Sequence, residues 1–200
     1  YTTQRVAGFS TAVLDTSMEV LFYYCYAHDP YTLWALHNPT GGSLLLLPYS
    51  KDKYLKTLDA LSKPYAIWDE FYRGEIPVNI LNSFAHKKVI FVDVGGALSQ
   101  NTQNNLINLL NTGGRLFISS PRMGSSLWGT EFYQNYLQAK LVGWSWGGGV
   151  IGMPGDSITS GFYSPFSVPS YYQEEIDPIP PATTTLKYYG DTSYTPYSSG

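Results

Sequence analysis

Short apolar runs alternate with helix-patterned stretches along the middle of this chain, and this alternation restricts the fold more than any other feature. The runs begin at positions 44, 65, 89 and 116, so 21 to 27 residues separate successive starts. That spacing leaves room for a helix between strands, and uninterrupted apolar strands are typical of burial on both faces of a sheet. We therefore predict a three-layer, doubly wound α/β domain with parallel strands in the order 2-1-3-4. Predicted strands one to four are Leu44–Leu47, Tyr65–Trp68, Val89–Val92 and Leu116–Ile118.

Local signals also set the bounds of the helix between strands three and four. Ser99 is suited to the N-cap, because its hydroxyl can accept a hydrogen bond from the first turn. Leu106, Leu109 and Leu110 then recur at helical spacing. The pair Gly113–Gly114 is typical of a helix end.

The regions on either side of this pattern have a different character. Glu19–Tyr26 is rich in strand-forming residues and Thr32–Leu36 can return beside it, so we predict a β-hairpin within a β-rich extension, residues 1–42. The α/β domain then spans residues 43–190. From about Gly147 the pattern gives way to Gly, Pro, Ser and Tyr, with a late strand at Leu186–Tyr189 and a flexible tail at residues 191–200.

Charged residues are scarce in this chain and aromatic residues are abundant. Asp, Glu, Lys and Arg make up 14% of the sequence, against about 25% in a typical domain, while Tyr occurs 18 times. The net charge of −3 offers no basic surface for nucleic acid, and no apolar run reaches the roughly 18 residues of a membrane span. Since the chain begins at Tyr1 and not at Met, we expect a piece of a larger extracellular or cell-surface protein.

Polar groups follow several of the predicted strands, where ligands of open α/β sheets bind. We name them as candidates for a small-ligand crevice, although polar loops at strand ends are also the ordinary composition of a surface. No cofactor is predicted. The candidates are Tyr49, Ser50, Asp69, Asp93, Gly95, Ser119, Ser120 and Arg122.

The sequence lacks residues that nucleophilic catalysis requires at this edge. The elbow after strand four carries Ser119 and Ser120 where an amidotransferase needs a cysteine, and the last histidine, His86, precedes it. The single cysteine, Cys25, excludes an internal disulfide and fits a small buried apolar residue. We therefore predict no catalytic site.

Metal and phosphate chemistry have only weak support in the sequence. Asp93 ends predicted strand three, where a phospho-acceptor could stand, but a structural role is the commoner use of such an aspartate. Glu174, Glu175 and Asp177 form an acidic cluster that could offer oxygen ligands to calcium, without the spacing of a calcium loop. A solvated cluster is favoured, and no metal site is predicted.

Aromatic residues near the end of the chain are candidates for a binding surface. Trp144 and Trp146 lie beside a glycine-rich stretch, and Tyr171 and Tyr172 follow later. These rings could stack on sugars, form a protein interface or pack in a core, and the sequence leaves the three uses open.

Several motifs together resemble a known family. The chain is similar to the flavodoxin-like, class I glutamine-amidotransferase-like domains of secreted prokaryotic proteins, which accompany immune-inhibitor-A-type metalloproteases and subtilases. The resemblance covers roughly residues 43–189 and includes no catalytic motif. The motifs that carry it are Tyr65–Asp69, Gly113–Ser120, Phe132–Leu137, Gly152–Ile158, Gly161 and Glu175–Ile179.

This resemblance implies a non-catalytic accessory domain that contacts other domains of its parent chain or another protein. The family's last core strand has no counterpart here, so we expect the N-terminal β segment or another chain to complete the sheet. Two other functions remain alternatives: a carbohydrate-binding module that uses the aromatic candidates, and a degenerate amidotransferase-like hydrolase.

Overall fold

A computed structural model describes residues 14–25, 47–93, 98–120, 123–146, 149–165 and 172–189. The chain divides into two compact units, residues 1–123 and residues 124–200. The predicted domain boundaries, at residues 42/43 and 190/191, fall outside the described residues, as does the tail.

The first unit contains a four-stranded parallel sheet with the order β2-β1-β3-β4. The predicted 2-1-3-4 order is therefore confirmed. Cross-strand partners include Phe22 with Ile67 and with Ile90, and Ile90 with Phe117. The strands are β1 (Val20–Cys25), β2 (Tyr65–Asp69), β3 (Lys88–Asp93) and β4 (Arg115–Ser119).

Helices lie on both faces of this sheet, which gives the predicted three layers. Tyr54 and Leu55 of α1 pack on one face, against Phe22 and Tyr24. The opposite face carries Tyr23, whose hydroxyl reaches α2. The helices of this unit are α1 (Leu47–Ala60), α2 (Glu70–Arg73), α3 (Val78–Asn82) and α4 (Gln100–Asn111).

The identity of strand one differs from the prediction. Val20–Cys25, which the sequence analysis assigned to a hairpin extension, pairs in parallel with both β2 and β3. Leu47 begins helix α1, and residues 44–46 lie outside the described part, as does the proposed return strand Thr32–Leu36. The physical reason is burial: all six residues of β1 are buried, and an uninterrupted apolar strand is stable only when both faces are covered.

The predicted bounds of α4 are confirmed. The Ser99 hydroxyl accepts a hydrogen bond from the Thr102 backbone N–H at 3.0 Å, which satisfies one free donor of the first turn. Gly113 follows the helix with a φ of +83°, a conformation that glycine adopts without steric cost.

The second unit is built from short antiparallel strands, which continue beyond Gly147, where little order was expected before the late strand. Strands β5 and β8 pair with each other, and β7, β6 and β9 form a separate sheet in that order. Helix α5 (Met123–Leu127) and a π-helical turn, Phe132–Tyr136, precede them. The strands are β5 (Ala139–Trp146), β6 (Gly149–Gly152), β7 (Tyr163–Pro165), β8 (Tyr172–Pro178) and β9 (Leu186–Tyr189).

A loop held by one aspartate explains why strands form in this glycine-rich segment. Asp156 Oδ1 accepts hydrogen bonds from the backbone N–H groups of Ile158 and Thr159, and these bonds lower the Asp156 pKa below its usual value. The Thr159 hydroxyl donates to the Thr185 carbonyl at 2.5 Å, just before β9. This loop therefore joins β6, β7 and β9 without an apolar run.

In the part of the chain that the structure describes, no helix has the length and apolar character needed to cross a bilayer.

The central position of β1 predicts a large loss of stability when its side chains are truncated. Leu21 is 0% exposed, so Leu21→Ala should lower the free energy of unfolding by about 2–5 kcal/mol. Leu61→Ala is the matched control, because Leu61 is 62% exposed and its loss should change stability by less than about 0.5 kcal/mol. Denaturant unfolding measures both. Equal, small effects would mean that β1 is a peripheral strand.

Candidate functional site

The carboxyl edge of the parallel sheet brings together residues from all four strands. Asp69 ends β2 and is in register with Tyr24, while Asp93 ends β3 and is in register with Cys25. Ser119 ends β4 opposite Val92. Three of the predicted crevice residues therefore end strands of the same sheet at the expected edge, although β1 separates the strand of Asp69 from that of Asp93.

The other predicted crevice residues have different positions. Tyr49 and Ser50 do not follow a strand: they lie in the first turn of α1, because the segment before them is not strand one. Ser120 directly follows β4 and is half-buried. Gly95 and Arg122 lie outside the described residues, and only the backbone of Asp93 is described.

A buried tyrosine near this edge, which the sequence analysis did not single out, has two polar contacts. The Tyr23 hydroxyl donates to Glu70 Oε2 at 3.0 Å and accepts from the Ile76 backbone N–H at 3.4 Å. Burial, and then the negative charge of Glu70, raise the pKa of Tyr23 well above its usual value. The phenol therefore stays protonated and holds α2 and the following loop against β1.

A second set of polar contacts occupies the N-terminus of α4. The Glu75 carboxylate accepts from the Ser99 hydroxyl, from the Thr102 hydroxyl at 2.5 Å and from Asn101 Nδ2 at 2.8 Å. Helix N-termini attract anions because their backbone N–H groups are unpaired and the helix dipole is positive there. At α4 that anion is a side chain of the same protein.

Trp68, near the end of β2, binds the loop that joins Glu70 to Glu75. Its indole Nε1 donates to the Gly74 carbonyl at 2.9 Å, and the Arg73 guanidinium lies 5.3 Å from the ring centroid. Tryptophan is only 7% exposed here, so its N–H needs a partner inside the protein. The loop that carries Glu75 is thereby fixed in place.

The histidine at position 86 lies at the opposite end of the sheet. It precedes β3, and its ring lies so close to Gly113 that a Cβ there would approach Nδ1 to 2.7 Å. Ser119 and Ser120 stand at the other end of β4, a strand length away, on the order of 15 Å. His86 therefore cannot act as a base for either serine, and His28 and His37 lie outside the described residues.

In the second unit, the predicted acidic cluster of Glu174, Glu175 and Asp177 lies on β8, and its side chains are distributed over both faces of that strand. Glu174 is buried and accepts from the backbone N–H groups of Gly124, at 2.6 Å, and Ser125, at 2.8 Å. Asp177 is half-exposed and lies 3.8 Å from Lys140 Nζ. Successive side chains of a strand point to opposite faces, so the expected solvated cluster is wrong for Glu174. The described residues contain no group of three His, Cys, Asp or Glu placed to hold a metal ion.

A second buried tyrosine lies close to Glu174. Tyr133 is 0% exposed, and its hydroxyl has no hydrogen-bond partner among the described residues. Burial, and then the charge of Glu174, raise the pKa of Tyr133 to about 12. The side chain of Glu174 thus anchors β8 to α5, while Tyr133 contributes its ring to the core.

The aromatic candidates meet on the β5–β8 pair. Trp144 is opposite Glu174 and half of its surface is exposed, and Trp146 is opposite Tyr172. Tyr171 and the side chains of Trp146 and Tyr172 lie outside what the structure describes. Antiparallel pairing therefore brings three positions together that are separated by up to 28 residues in the sequence.

Comparison of the chain with protein-family models, with curated proteins and with solved structures finds no match.

Tyr23 and Tyr133 are both buried, but replacing each by phenylalanine is predicted to change stability differently. Tyr23→Phe removes a hydroxyl with two partners and should lower the free energy of unfolding by about 1–3 kcal/mol. Tyr133→Phe removes a buried hydroxyl without a partner and should leave stability unchanged or raise it by about 1 kcal/mol. Denaturant unfolding, with hydrogen exchange to locate the effect, measures both. Equal losses in the two variants would contradict this assignment of partners.

Proposed function

We propose that this chain is a non-catalytic accessory domain of a larger extracellular or cell-surface protein. In this proposal it contacts other domains of its parent chain or another protein. The resemblance to domains appended to secreted metalloproteases and subtilases supports the same function and suggests an association with a protease.

One observation carries the proposal: polar groups that the structure describes at the carboxyl edge bind one another. Tyr23 is bound to Glu70 and Ile76, and Glu75 is bound to Ser99 and to residues of the first turn of α4. A catalytic or ligand site needs polar groups whose hydrogen-bonding capacity remains available to a substrate. At this edge the same groups contribute to folding instead.

The nearest catalytic candidates in the crevice also have partners. Asp69 is 7% exposed, and neither Asp69 nor Ser120 is without a polar or electrostatic partner. The scarcity of charged residues and the abundance of tyrosine support a surface suited to protein contact.

Assays of hydrolysis test the non-catalytic part of this proposal. We expect no glutaminase or esterase turnover from the purified chain, because the Ser119–Ser120 elbow lies far from His86. Turnover that Ser120→Ala abolishes would overturn the proposal and favour a degenerate amidotransferase-like hydrolase. Ser157→Ala, at an exposed serine of the β6–β7 loop, is the matched control and should change nothing.

Carbohydrate binding is the second candidate function, and the exposure of Trp144 is the observation that favours it. Indole rings stack on sugar faces, and the pairing of Trp146 with Tyr172 extends the row of aromatic positions. A glycan array separates the two functions. Binding that is lost in Trp144→Ala and kept in Trp128→Ala, whose indole is 73% exposed, would favour the carbohydrate-binding module. We expect no glycan binding that depends on Trp144.

A further inference from the structure

Strand β4 is at the edge of the parallel sheet. Among the described residues it pairs with β3 and with no other strand. An edge strand carries a row of backbone donors and acceptors that can bind a further strand.

The hydrogen bonds to β3 show which residues of β4 have outward backbone groups. The Arg115 N–H donates to the Lys87 carbonyl at 2.9 Å, toward β3. Backbone direction alternates along a strand, so Phe117 and Ser119 also face β3. Leu116 and Ile118 therefore direct their N–H and C=O groups away from the sheet.

Between these two residues, Phe117 exposes an aromatic ring. It is 55% exposed, although the faces of a parallel sheet are normally covered, and its ring centroid lies 6.2 Å from that of Tyr54 in α1. A surface of this kind, on a strand with unpaired backbone groups, is suited to pairing with another strand.

We propose that two copies of this chain pair through β4, antiparallel, about a twofold axis at Phe117. The backbone N–H and C=O of Leu116 then form two hydrogen bonds with the C=O and N–H of Ile118 in the second copy. By symmetry, Ile118 forms the same two bonds with Leu116 of the second copy. The two Phe117 residues form a non-hydrogen-bonded pair, the arrangement that brings cross-strand side chains closest. The inference concerns self-association and does not depend on the proposed function.

The composition of β4 favours a second copy as the occupant. The outward donors lie symmetrically about the exposed ring, so the strand is complementary to itself. In this register Arg115, the one charged residue of the strand, faces Ser119 of the second copy, so like charges do not meet. The strand contains no proline and no bulge, the features that block edge pairing.

A proline substitution tests the outward backbone directly. Ile118→Pro removes an N–H that faces away from β3, and the preceding Phe117 already has the extended conformation that proline favours. Ile118→Ala truncates the same side chain but keeps the N–H, so it is the matched control. Sedimentation velocity over a roughly hundred-fold range of concentration should show dimers for the wild type and Ile118→Ala, and monomers for Ile118→Pro.

A second variant keeps the test valid if the proline variant does not fold. Phe117→Lys places two like charges opposite each other and should weaken the dimer by about tenfold or more. Leu61→Lys, at an equally exposed leucine outside β4, should leave it unchanged. Far-UV circular dichroism and thermal unfolding identify variants that have lost their fold.

Three results would overturn the proposal. They are a wild-type chain that stays monomeric over the whole range, a dimer that persists in both folded Ile118→Pro and Phe117→Lys, and slow amide exchange at Leu116 and Ile118 in the monomer. The last result would show that the edge is covered within one chain or by a different partner.

Discussion

The burial of β1 on both faces is the constraint on which the first unit depends. The strand lies between β2 and β3 and buries six consecutive residues, including two tyrosines and a phenylalanine. Aromatic side chains supply much apolar area, but a buried phenol must also find a partner for its hydroxyl. Tyr23 finds that partner in Glu70, 47 residues away, and this contact fixes α2 beside the carboxyl edge.

The same requirement explains the chemistry of that edge. In many α/β proteins the strand ends and the helix N-termini bind ligands, because unpaired donors converge there. Here Glu75 occupies the N-terminus of α4, and Trp68 holds the loop that carries it. Side-chain donors of the cap and the first turn are thereby used to position the chain's own segments. An accessory role is consistent with this arrangement, since stability and shape are then the properties that the edge provides.

In the second unit, carboxylates that accept backbone N–H groups connect the segments of the chain. This unit has short strands and few apolar runs, and single carboxylates join its segments: Asp156 closes the β6–β7 loop and Glu174 links β8 to α5. Each carboxylate accepts two backbone N–H groups, and for the buried Glu174 these bonds compensate the cost of removing it from water. Tyr133 differs from these carboxylates: its buried hydroxyl has no hydrogen-bond partner among the described residues, so ring packing outweighs hydrogen bonding there.

The local elements and the class of the fold follow from short-range sequence patterns. Three of the four predicted strands, the cap at Ser99 and the end at Gly113 depend on short-range patterns, and the alternation of strands with helices indicated parallel pairing in the order 2-1-3-4. Tertiary structure selected the central strand, because Val20–Cys25 and Leu44–Leu47 have similar local propensity and it is Val20–Cys25 that pairs with both β2 and β3. Tertiary structure also determined which partners the carboxylates of the candidate site have. Glu70, Glu75 and Glu174 resemble any surface acid in the sequence, and only long-range contacts bring their carboxylates to Tyr23, Ser99 and Gly124.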